Sequence, residues 1–189
     1  MAISDKAATL LALHTDPELL VVVNVWDAVS AKVVADLPGC KALATASHSI
    51  AASAGFPDGE VIPLEEMITA IGRIAAATTL PVSADLEAGY GDAGDAVRRA
   101  YLDAGAACVF VPGKLDRRAV EQLVEALGAQ KLSVIAVPGS LPLPELAELG
   151  VARVSFGPFT QRLALTALAD AGALMLDGGS LPDGIRALN

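Results

Sequence analysis

Six short apolar runs recur along the chain, and most neighbouring pairs leave room for a helix between them. They read VVVNVWD (21–27), KALATAS (41–47), PVSADLE (81–87), ACVFVPG (107–113), LSVIAVPG (132–139) and RVSFGP (153–158). Apolar residues follow one another in them almost without alternation, as in parallel strands covered on both faces. The gaps carry helical patterns. MAISDKAATLLALHTDPELL opens the chain as an amphipathic helix, and AVSAKVVADLPG follows the first run. PLEEMITAIGRIAAAT has Pro63 in its first turn, Glu65 and Glu66 at the positive helix end, and Met67, Ile71, Ile74 and Ala75 at three- and four-residue steps. DAVRRAYLDAG, DRRAVEQLVEALG and PLPELAELG each close on glycine, and FTQRLALTALADAGALMLD makes the last helix.

Strand–helix alternation predicts a parallel sheet with helices outside it. No low-complexity stretch divides residues 1–189, so one domain is expected. A doubly wound nucleotide fold would place a G-x-G-x-x-G after the first strand, whereas NVWDAVSAK contains no glycine. Polar residues gather instead at the C-terminal ends of the strands: Asn24 and Asp27, Thr45 and Ser47, Asp85 and Glu87, Lys114, Ser155. That is the distribution of a barrel's active face. Six strands fall short of the eight that such a barrel closes with, so the predicted fold is α/β, a truncated (β/α)6 parallel barrel or partial barrel.

Composition narrows the function classes. Aromatics make up only 4% against 53% hydrophobic residues and a mean hydropathy of +0.53, so the core is aliphatic. No apolar run reaches the roughly 18 residues of a membrane span. A net charge of −9 disfavours nucleic acid and anionic membranes as partners. Cys40 and Cys108 stand apart in apolar surroundings and read as reduced core thiols, which with the lack of a basic leader predicts a cytoplasmic protein. Serine-triad, zinc and P-loop spacings are absent. His14 reads as a surface residue, His48 as a rim or helix-capping residue, Tyr90 as a site-floor residue, and Lys114 as a solvated loop lysine. Arg153, at a strand start, lies at the wrong end for catalysis.

Three stretches, NVWDAVSAK, ATASHSIAASAGFPDGE and LPVSADLEAGYGD, occur in an order and spacing that resemble the phosphoenolpyruvate mutase/isocitrate lyase superfamily. The closer likeness is to its short carboxyvinyl-carboxyphosphonate phosphorylmutase-like members. AGAACVFVPGKLD, SVIAVPGSLP and GVARVSFGPFTQRLAL extend the resemblance over the chain. The resemblance implies a barrel that binds Mg²⁺ and a small 2-oxo acid or its enolate, and that makes or breaks a C–C or P–C bond. It implies Asp85, Glu87 and Asp58 as the metal's acidic shell, partly through water. Thr45, Ala46 and Ser47 would hold the substrate carboxylate. Trp26 and Asp27 read as packing and hydrogen-bonding residues at the barrel mouth, with a pocket wall as the alternative role of Trp26. Asp85 and Glu87 are two apart, so a regular strand points both the same way, as a shared cation requires.

The likeness also implies an omission. Full-length relatives carry two more strand–helix units between GYGD and VFVPG. One has an Asn-x-Glu-Asp motif and a gating loop; the other has an Ala-Arg-Thr-Asp motif whose arginine grips the substrate anion. Here GYGDAGDAVRRAYLDAGAA bridges that interval directly. Three outcomes follow from the exposed strand edges: a smaller closed ring, two chains sharing their open edges, or an open sheet partly covered by helices. A homo-oligomer, dimer or tetramer, is the expectation. Two functions stay in competition: a Mg²⁺-dependent lyase or mutase type of protein, or a non-catalytic descendant that binds or assembles.

Overall fold

In the computed structural model, which describes residues 3–87, 90 and 108–188, the six apolar runs all become strands and every strand pairing is parallel. The first run is split at Val22 into β1 (Leu20–Val21) and β2 (Val23–Val25). The others are β3 (Leu43–Thr45), β4 (Val82–Ser83), β5 (Val109–Val111), β6 (Leu132–Ile135) and β7 (Arg153–Ser155). β1 pairs with β7 and β2 pairs with β3, so one extended strand joins two sheets. The Val22 amide donates to the Val154 carbonyl at the join, 2.9 Å. The strands therefore run β5, β6, β7, β1/β2, β3, β4. Among the described residues β4 pairs only with β3 and β5 only with β6, so the seam falls where the two units were expected to be missing.

Helices flank the strands. They are α1 (Ile3–Thr15), α2 (Ala28–Ala35), α3 (Ser47–Ser53), α4 (Leu64–Ala76), α5 (Arg117–Leu127), α6 (Leu143–Glu148) and α7 (Phe159–Leu176). The predicted helix DAVRRAYLDAG lies outside the described residues. Asp27 explains where α2 starts: its side chain accepts from the Ser30 amide, and the Ser30 hydroxyl accepts from the Asp27 amide, a capping box. Pro63 caps α4 from just outside instead of sitting in its first turn. α3 was not legible in the sequence, where SHSIAAS lacks both an amphipathic period and a capping side chain. Ala46 sits at its N-cap with no side-chain bond, and support comes from another strand.

Alternate residues along each strand face opposite ways. Leu132, Val134 and Val154 join Val120 of α5 and Leu146 of α6 in one apolar core. Val25 and Leu43 join Met67 and Ile74 of α4 in another. A third, smaller cluster has Leu20, Val22, Ala42 and Ala44 on the inner side, plugged by Leu10 and Leu13 of α1. His14 is buried under this plug at 6% exposure, not on the surface, and its Nδ1 lies 2.8 Å from the Leu10 carbonyl oxygen. The reason is tertiary: α1 lies across the N-terminal end of the strands instead of facing solvent. Lys6 anchors the same helix by donating to the Ala75 and Thr78 carbonyls at the end of α4, 3.0 and 2.6 Å.

Candidate active site at the C-terminal ends of β3 and β4

The site begins with two neighbouring parallel strands. β3 pairs with β4 in register, so Thr45 to Ser47 and Asp85 emerge side by side. The Asp85 amide donates to Thr45 Oγ1 at 2.8 Å. In return Asp85 Oδ2 accepts from the Ser47 amide at 3.0 Å and from the Ser47 hydroxyl at 2.9 Å. Asp85 thereby supplies the cap that α3 lacks locally, with a charge-assisted acceptor at a helix start.

The network continues outward. Asp85 Oδ1 accepts from the Glu87 amide at 3.1 Å. Glu87 Oε2 accepts from the Glu60 amide, and Glu60 Oε1 accepts from the Tyr90 amide at 2.7 Å. Glu60, Glu87 and Tyr90 have φ of 60°, 54° and 56°, so three of the four non-glycine residues with left-handed backbone in the described chain meet here. Such conformations cost energy and gather at functional sites. Glu87 Oε1 and the Tyr90 hydroxyl are both buried, and the phenol lies near enough to the Glu87 carboxylate to donate a hydrogen bond to it. Burial pushes the Tyr90 phenol above its ordinary range, and the carboxylates of Glu87 and Glu60 push it further.

The residues named from sequence are thus brought together unequally. Thr45, Ala46, Ser47, Asp85 and Glu87 form one cluster. Asp58 stands exposed on the loop before α4, and the acid of GFPDGE that joins the network is Glu60, which sequence reasoning passed over. Its signal was the Gly-Glu pair closing that loop. Trp26 lines a groove of about 710 Å³ between α2, α3 and α4 together with Ile50, Glu66 and Arg73, and neither Asp85 nor Glu87 lines it. Tyr90, read from sequence as a floor residue, joins the network through its amide, which donates to Glu60 Oε1. His48 lies in the first turn of α3 with a buried, unpartnered Nδ1.

Does this donor set suit Mg²⁺? Among the described residues no three His, Cys, Asp or Glu side chains converge closely enough to hold a metal ion. A closed cage of Asp85, Glu87 and Asp58 is therefore not formed. Asp85 and Glu87 do fit a hydrated ion, since Mg²⁺ is commonly held by one or two carboxylates while keeping several waters. Glu87 Oε1 is the carboxylate oxygen that no backbone amide takes, and so the one available for that purpose.

Asn24 was noted only as a polar strand-end residue, yet it stitches the mouth together. Its Nδ2 donates to the Thr45 carbonyl at 2.8 Å, and its Oδ1 accepts from the Phe156 and Gly157 amides at 2.7 and 2.8 Å. Thr160 of α7 donates to the Asn24 carbonyl at 2.8 Å. The side chain replaces the backbone ladder where β7 parts from β2.

With parallel strands, outer helices and an acidic cluster at the C-terminal strand ends, the molecule is of the barrel-derived α/β class. The chain belongs to the phosphoenolpyruvate phosphomutase family, whose model matches residues 10–100 and 94–176. The two matched stretches meet at 94–100, inside the interval between β4 and β5. A phosphonomutase-type protein from Burkholderia cenocepacia J2315 superposes with a TM-score of 0.77 at 32% identity, covering 88% of this chain and 98% of that one. A Mycobacterium tuberculosis H37Rv protein is 38% identical over 95 residues, 49% of this chain and 36% of its own length. The oxaloacetate decarboxylase of Bradyrhizobium sp. is 33% identical over 117 residues, 60% of this chain and 38% of that enzyme. The chain spans somewhat over a third of the length of these curated relatives, 36% and 38%. Among the described residues no helix is long and apolar enough to cross a membrane.

Proposed function

We propose that this chain binds a small 2-oxo acid, or its enolate, at the C-terminal ends of β3 and β4, with Asp85 and Glu87 holding a hydrated Mg²⁺. One observation carries this reading: a single hydrogen-bonded network links Thr45, Ser47, Asp85, Glu87, Glu60 and Tyr90 and leaves Glu87 Oε1 with no backbone donor. A bound Mg²⁺ would stabilise negative charge on an enolate oxygen, the feature shared by C–C lyase and P–C mutase chemistry. The chain's own residues would do the rest. Thr45 to Ser47 would orient a carboxylate, Asp85 would hold that turn in place, and Glu60 would fix the Glu87 carboxylate by its amide. Similarity to an oxaloacetate decarboxylase supports a small dicarboxylate as the substrate class.

A second reading, a non-catalytic binding or assembly protein, is favoured by a different detail. The Ser47 amide and hydroxyl, the donors meant for a substrate carboxylate, are already engaged by Asp85. Self-association belongs to both readings, and the exposed Leu163, Leu168 and Leu176 of α7 support it.

Calorimetry with oxalate, an enolate mimic, tests the first reading. Binding is expected with Mg²⁺ and is expected to be lost in Asp85→Asn and Glu87→Gln. Absence of heat at millimolar oxalate with Mg²⁺ present would remove it. Metal-dependent consumption of oxaloacetate would remove the second.

A further inference from the structure

On the function proposed above, two carboxylates require one pair of donors. Thr45 to Ser47 would orient the ligand's carboxylate, yet Asp85 Oδ2 already accepts from the Ser47 amide at 3.0 Å and from the Ser47 hydroxyl at 2.9 Å. These donors are enclosed, with Ser47 7% exposed and Thr45 1%. Asp85 is itself exposed, so solvent reaches the acid that fills the place. Its backbone is anchored apart from its side chain, because the Asp85 amide donates to Thr45 Oγ1 at 2.8 Å. The side chain can therefore swing out while the strand end stays where it is.

Putting a ligand carboxylate in this place exchanges like for like: two charge-assisted hydrogen bonds are lost and two are made. The tethered acid also competes at a far higher effective concentration than a free one. A free carboxylate therefore loses, unless the displaced Asp85 gains a new partner. The Glu87 amide donates to Asp85 Oδ1 at 3.1 Å, which keeps the two acids together, and a cation shared between them is such a partner.

We propose that the Asp85–Ser47 contact is autoinhibitory, a regulation that rests on the site proposed above. In the metal-free chain Asp85 stands in for the ligand's carboxylate, and the block is lifted when Asp85 swings to a divalent cation shared with Glu87. Cation and carboxylate then tighten each other's binding by the same factor. The engaged donors of Ser47 mark a closed site, and the same bonds hold the start of α3 until a ligand arrives.

Chemical rescue of Asp85→Ala by formate or acetate tests it, in thermal melts of the intact chain with EDTA and with the anion replacing chloride at constant ionic strength. The substitution removes the internal carboxylate and leaves both Ser47 donors, so the variant should melt below wild type in chloride. Formate or acetate should then raise its melting temperature saturably and beyond the rise in wild type, which registers the general effect of the salt. Glu87→Gln removes a nearby negative charge but keeps Asp85 on Ser47, and should rise only as wild type does. Adding Ser47→Ala to Asp85→Ala should shift the dependence to at least about tenfold higher anion, the loss of one hydrogen bond to a charged group. If Asp85→Ala does not fold in chloride, recovery of its helical circular dichroism in formate or acetate is the expected result. With Mg²⁺ in place of EDTA, wild type should gain the carboxylate-dependent rise that Asp85→Ala shows without it. Equal rises in Asp85→Ala and wild type, or an Asp85→Ala chain that neither anion restores, would overturn the proposal. The rescue contains no metal, so its failure leaves Mg²⁺–oxalate binding to its own calorimetric test.

Discussion

Asn24 shows how much one buried amide can hold. Its side chain touches the Thr45 carbonyl and two amides beyond β7, all at 2.8 Å or less. In Asn24→Ala those three backbone groups lose their partners in a buried place. The expected destabilisation is about 3 kcal/mol, read by urea unfolding. Asp85 is the other residue on which the mouth depends, because its Oδ2 holds both donors of Ser47. The pairing D-x-E was legible in the sequence as chemistry, but its partners were not. Ser47 lies 38 residues away, Glu60 lies 27 residues from Glu87, and no local pattern links either pair.

Among the elements, α1 is the one whose role differs most from its sequence pattern. Its amphipathic period was read correctly as a helix, yet His14 near its end is buried against the strands. Burial lowers the imidazole, the Leu10 carbonyl opposes this, and the charge of Arg153 lowers it further. The sign follows directly. Below about pH 6.5 the unfolded chain takes up a proton that the folded chain resists, so stability falls on acidification. His14→Gln should flatten the decline in unfolding free energy below about pH 6.5, measured by urea titrations at stepped pH. α3 shows the reverse case, with a sequence too plain to announce a helix. Asp85 of the next strand caps it, and Gln161 of α7 donates to the Ser49 carbonyl at 3.0 Å and the Ser53 hydroxyl at 2.9 Å.

At the scale of the whole molecule, two exposed features stand together. β4 and β5 each have one strand partner among the described residues, and unpaired edges invite another chain. α7 and the tail beyond it expose Leu163, Leu168, Leu176, Leu181 and Ile185, with Leu168 at 65% and Leu176 at 92%. So many exposed large apolar side chains on one element and its tail support an interface there. Light scattering coupled to size exclusion should therefore give a mass of at least about twice 19.1 kDa at micromolar concentration. Leu168→Glu should reduce it. A wild-type monomer would show that neither the edges nor α7 are covered by a second copy.

The pattern of apolar runs determined the parallel α/β class and the six stretches that become strands, because a strand buried on both faces must be apolar throughout. The motifs determined the family. Only the tertiary structure decided which acid of GFPDGE joins the network, that Asp85 caps a helix belonging to another strand, and that His14 is buried beneath α1. The reason is physical. Strand and helix periodicities are written in neighbouring residues, whereas hydrogen-bond partnership and burial of charge depend on which distant segments the fold sets side by side.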